Sequence, residues 1–184
     1  CRPAAPPAQA HPAVAFHAEG QPQSLSQWHL FELADGRLTL NERVLPYDLN
    51  SALFTDYAHK LRTIWMPAGS AAQYRADTAL DFPVGTVISK TFYYPLPEGQ
   101  AWDGKSVART DASSHNLLVN ETLDLSRVRL VETRVLVHRD SGWLAIPYVW
   151  NAEQTDALLM RTGQQEPLEL GDAKGEREAL AYQV

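Results

Sequence analysis

The sequence predicts an all-β fold, an antiparallel β-sandwich or flattened barrel with a long inserted loop. Three observations carry that expectation. Stretches such as KLRTIWM (residues 60–66) and RVRLVETRVLVHR (127–139) alternate their side chains with the period of two that marks a half-buried strand. Pro, Gly, Asn and Asp punctuate the chain at short intervals, as turns between strands require. No apolar pattern keeps the 3.6-residue period of a helix through several turns.

Taken in order, residues 1–24 are rich in Pro and Ala and read as a flexible tether, because such a composition buries too little apolar surface to offset its ordering entropy. SLSQWHLFEL then reads as a docking segment, ADG as a turn, and residues 37–45 as a short strand that Pro46 ends. Residues 60–66 form the next strand. DFPVGTVISKTFYYP (81–95), β-branched and aromatic, forms another bounded by Pro83 and Pro95. Residues 96–126, rich in Gly, Ser, Asn and Asp, read as a surface insertion. Two strands joined through Arg139-Asp-Ser-Gly142 form the clearest hairpin. In its first arm Val131, Thr133, Val135 and Val137 share one face, and Leu130, Glu132, Arg134 and Leu136 the other. A turn and short strand follow, so the β domain spans 25–165, and the charged residues 166–184 read as a tail or linker.

Charge narrows the function classes. The chain has 22 Asp and Glu against 16 Lys and Arg, and its basic residues are scattered in sequence, which argues against nucleic acid as a partner. No apolar run is long enough for a membrane-spanning helix. The one cysteine is Cys1, so no internal disulfide or cysteine-based metal cluster can form. A leading cysteine followed by a polar tether resembles a mature bacterial lipoprotein, with lipid on Cys1 as the anchor. Arg2, rather than Asp, beside that cysteine implies by the same resemblance an outer-membrane destination.

Candidate chemistry is sparse. The six histidines form no H-x-H or H-x-x-x-H pair. Asp48, Asn50, Asp56 and His59 offer ligands to a metal, but their spacing lacks the glycine and final carboxylate of a calcium loop. The alternative is a segment whose Asp and Asn cap their own turns while Tyr47, Phe54, Tyr57 and Trp65 bury their rings. Asp56 and His59 could join a serine as a triad, yet no motif specifies a nucleophile, and the chain reads as non-catalytic. Glu132 and Arg134, two apart on one strand face, read as an ion pair. Trp143, Tyr148 and Trp150 are candidates for an aromatic sugar platform, although Trp143 points away from the other two. Leu117, Leu118 and Val119 form an apolar patch within the insertion, a candidate docking point for a protein.

LPYDLNSALFTDYAHKLRTIWMP, DFPVGTVISKTFYYP, VETRVLVHRDSGWLAIPYVWN and EQTDALL, in this order, resemble the N-terminal module of a family of exported bacterial proteins of uncharacterised function. Many members continue into c-type cytochrome segments. The resemblance implies a role in electron transfer in the cell envelope, with a c-type cytochrome as partner and haem c only in a continuation or that partner. No C-x-x-C-H motif occurs in these residues, and the resemblance brings no catalytic residue. The expectation is therefore a lipid-anchored, non-catalytic β module that positions a cytochrome or another electron-transfer protein. The alternative is a sandwich that binds carbohydrate or another small ligand on exposed aromatics.

Overall fold

The computed structural model describes residues 12–51, 53–110 and 117–183. Among the described residues twelve strands form three sheets: β1 (Phe31–Ala34), β2 (Arg37–Leu40), β3 (Leu45–Tyr47), β4 (His59–Trp65), β5 (Val87–Pro95), β6 (Ser106–Ala108), β7 (Thr122–Asp124), β8 (Val128–Arg139), β9 (Gly142–Trp150), β10 (Ala157–Leu159), β11 (Gln165–Gly171) and β12 (Arg177–Gln183). A 3₁₀ turn, Leu25–Trp28, precedes them. The central sheet has six strands in the order β10-β9-β8-β5-β4-β3. Its order is open, with β10 and β3 at the edges, so the layers form a sandwich and not a closed barrel.

One face of the central sheet packs against the N-terminal segment, the 3₁₀ turn and the small sheet β1-β2-β7. Trp28, Leu30, Leu38, Leu61, Tyr93, Leu123, Val135, Ile146 and Tyr148 are all buried between them. Polar groups inside this layer are paired, as burial requires. Trp28 Nε1 donates to Tyr148 Oη at 2.8 Å, and Trp150 Nε1 donates to Thr133 Oγ1 at 2.9 Å. Part of the opposite face is covered by the third sheet, β12-β11-β6, where Phe92, Tyr94 and Val131 meet Val107, Leu168, Leu170 and Tyr182.

Several sequence expectations change here. The strand beginning at Arg37 stops at Leu40, and Pro46 lies inside β3 opposite Thr63. Proline is tolerated there because β3 is an edge strand and its missing N–H faces no partner. The pairing of β5 with β8 slips between Phe92↔Glu132 and Tyr93↔Leu130. Val131 is the extra residue of that bulge, so the strict alternation of 130–137 breaks: Leu130 joins the Trp28 core and Val131 the opposite cluster.

The tether is shorter than its composition implies. From Pro12 onward the chain lies against the domain: Val14 is buried, and the carbonyls of Pro12, Gly20 and Pro22 accept from Asn41, Arg139 and Tyr148. The insertion 96–126 contributes β6 and β7 to two sheets. Residues 166–183 are not a tail. They form the hairpin β11–β12, whose turn is held by Asp172 accepting from the Lys174 and Glu176 amides at 2.8 and 2.9 Å.

Candidate functional site

The third sheet covers only one end of its face, and the remainder of that face is open. Cross-strand register arranges it in rows. Arg134 on β8 lies opposite Lys90 on β5, and Lys90 opposite Arg62 on β4, with Pro147 and Tyr47 at the ends. One row further from the third sheet, Ala145, Leu136, Ile88, Ile64 and Leu45 align as an apolar band. One row nearer to it, Glu132, Phe92 and Lys60 align. The open face therefore carries a cationic row beside an apolar one.

Like charges placed directly opposite one another repel, and each cation is accommodated differently. Arg62 is buried and pairs with Asp48 at 3.1 Å. Arg134 reaches both oxygens of the fully buried Glu132, at 2.6 and 3.0 Å, and Tyr182 Oη donates to the same carboxylate at 2.9 Å. Lys60 Nζ donates to the Leu53 carbonyl at 2.8 Å. Lys90, between the two arginines, makes no hydrogen bond or ion pair among the described residues; its Nζ lies 5.0 Å from the Phe92 ring centre. Burial, then the charges of Arg134 and Arg62, hold Lys90 below the usual lysine range. Burial, then Arg62 and Lys90, do the same to Lys60. Four cations thus meet two carboxylates, and the uncompensated charge is central.

The margins are apolar and exposed. The loop after β3 presents Leu49, Leu53 and Phe54, the last two 74% and 71% exposed. The loop between β4 and β5 presents Tyr74, Leu80 and Val84, and its Phe82 packs edge-on against Trp143. Trp143, 42% exposed, stacks on His138 at 4.5 Å and marks the far corner. Most of the large apolar side chains that reach solvent belong to this face or to the two loops at its margins.

The residues singled out from sequence fare unevenly. Cys1 lies outside the described residues. Leu117 and Leu118 fold back against the Trp28 core, leaving Val119 as the exposed member of the patch. Tyr148 and Trp150 are buried with their polar tips paired, so they form no shared platform with Trp143. Asp48 binds Arg62 and the Leu49 amide, whereas Asp56 offers its backbone carbonyl to Tyr94 Oη. Among the described residues no three His, Cys, Asp or Glu side chains converge as metal ligands. His59 and His138 stand about seven residues apart along β5, roughly 20 Å at about 3.3 Å per residue. Tyr47, at the end of edge strand β3, and Phe54, in the loop after it, both expected to bury their rings, are instead exposed at the site's edge, where no layer covers the sheet. His59 is buried with Nε2 2.7 Å from Thr110 Oγ1, far from solvent contact of the kind an open site has.

The cationic row has no sequence signature, because its members lie far apart in sequence and only cross-strand register unites them. What a row of guanidinium and ammonium groups beside apolar side chains can do is attract and hold carboxylates on a partially apolar surface. No family model matches the chain, and no curated protein or solved structure matches it significantly.

Proposed function

We propose that this chain is a non-catalytic β module that docks a protein partner on the open sheet face. The observation that carries the reading is Lys90, an ammonium that pairs with no carboxylate among the described residues, set between Arg62 and Arg134 and bordered by the Leu136–Ile88–Ile64 band. In a chain of net charge −6 this local excess of cations would orient a partner whose contact surface is rich in Asp and Glu at its centre and apolar around it. The family resemblance supplies the identity proposed for that partner: a c-type cytochrome or another electron-transfer protein of the cell envelope, with lipid on Cys1 tethering the module to the outer membrane.

The test uses natively expressed protein. The parent should retain an acidic haem protein, identified by its Soret absorbance, in a complex that weakens with salt. Lys90→Glu, folded by circular dichroism, should weaken that complex about tenfold or more. Equal retention of the haem protein by the folded variant would sink the docking face. Anchoring is read separately: intact mass should show acyl chains on Cys1, and Cys1→Ala should move the protein to the soluble fraction.

A further inference from the structure

At the free edge of β9, past Pro147 at the end of the cationic row, the chain forms a second feature that the docking reading does not use. A groove of about 700 Å³ runs between Gly20 and Gln21 of the N-terminal segment and the β9–β10 edge. Its apolar wall is Leu144, Pro147, Leu159 and Met160, and among the described residues its charged lining groups are Arg139 and Arg161. Among the described residues no Asp or Glu lines it.

Arg139 is the unusual member. It closes β8 and is 9% exposed, yet among the described residues no carboxylate pairs with it. Its Nη2 donates to the Gly20 carbonyl at 2.7 Å, and its buried Nε finds no acceptor among the described residues. The other guanidinium with an orphaned Nε, Arg129, has Glu166 3.8 Å away and the Ala152 carbonyl at 2.8 Å. Asp156, whose charge reaches the neighbouring Tyr148, is committed to the Ser26 amide and hydroxyl at 3.0 and 2.6 Å. A guanidinium withdrawn from water without a counter-charge is costly, and an anion supplied from outside removes that cost. Arg161, exposed at the mouth of the same groove, adds a second cation with no partner among the described residues.

We infer that this groove binds a small amphiphilic carboxylate, its head between Arg139 and Arg161 and its hydrocarbon part along Leu144, Leu159 and Met160. The volume lies within the range of small-molecule sites, and arginine recognises a carboxylate through its planar fork. The inference is independent of the docking face.

Octanoate is the probe, measured by isothermal titration calorimetry on the intact protein at low ionic strength. One saturable site is expected, with octanol and acetate each binding about tenfold weaker or worse, since one lacks the charge and the other the chain. Arg161→Glu, an exposed substitution, should weaken octanoate by a similar factor with the melting temperature nearly unchanged. Arg139→Lys keeps the charge and loses the fork, and if folded it should also bind less tightly. Lys90→Glu should leave octanoate affinity as it is, which separates this site from the docking face. The inference is overturned by octanol binding as tightly as octanoate, by undiminished octanoate binding in folded Arg161→Glu, or by the absence of saturation. Arg161-dependent binding to anionic lipid vesicles in place of octanoate would overturn it as well.

Discussion

Lys90 and Glu132 are neighbours on adjacent strands with opposite circumstances. Glu132 is fully buried and answered by Arg134 and Tyr182, whereas Lys90 is half-buried and, among the described residues, touches the Phe92 ring and feels the Glu132 charge without pairing with it. Removing the hydroxyl in Tyr182→Phe should therefore cost about 1–2 kcal/mol, read as a lower urea midpoint, because a charged acceptor loses a donor. Replacing the ammonium in Lys90→Leu should instead raise stability by about 0.5–1 kcal/mol, since cross-strand repulsion with Arg62 and Arg134 disappears. A Lys90→Leu variant less stable than the parent would show that the row is not strained. The Glu132–Arg134 pair was legible from two residues on one strand face. Lys90 was not, since its neighbours in space lie on β4 and β8.

Among the elements, the C-terminal hairpin shows how charge can mask a strand. Leu168 and Leu170 on β11, and Leu180 and Tyr182 on β12, keep a period of two, but glutamates and alanines around them give the segment the composition of a linker. The alternation was readable; its length was too short to outweigh the charge. Because Leu170 is buried against the second core, Leu170→Ala should destabilise by about 2–4 kcal/mol, where a loose tail would show nothing. The insertion behaves similarly. Leu117 packs on the Trp28 core, so Leu117→Asp should lower the denaturation midpoint strongly, and the equivalent change at exposed Val119 should scarcely register. The bulge at Val131 had no sequence signal, because an extra residue in one strand is defined only by its partner.

Across the protein, the fold class and the central hairpin followed from periodicity, which reports burial of one face. The open face did not, since periodicity cannot say whether the second face is covered. Alkaline stability depends on all layers at once. Tyr47, Tyr93, Tyr94, Tyr148 and Tyr182 are all raised above the ordinary phenol range, chiefly by burial, Tyr93 to about 12. A folded-state pKa above the unfolded one stabilises below about pH 10 and loses that contribution as pH rises toward the folded value. Lys60 and Lys90 act in the opposite sense, their depressed values favouring the fold as pH approaches their unfolded range. The tyrosines dominate, so the melting temperature should fall between about pH 10 and 12, with tyrosinate absorbance appearing as the protein unfolds. Phenols that ionise while circular dichroism stays native would contradict this.

The parallel pairing of β6 with β11 has a kinetic consequence. β8 and β9 close a tight local hairpin, but Val107 and Leu170 must find each other across most of the second half of the chain. Closing so long a loop is slow relative to local pairing. Refolding should thus bring the central meander together first and seat β11 between β6 and β12 last. In pulsed hydrogen exchange, amides of β8 and β9 should gain protection before those of β11. Until that final step Phe92 and Tyr94 stand uncovered, which makes the late intermediate the species most prone to self-associate.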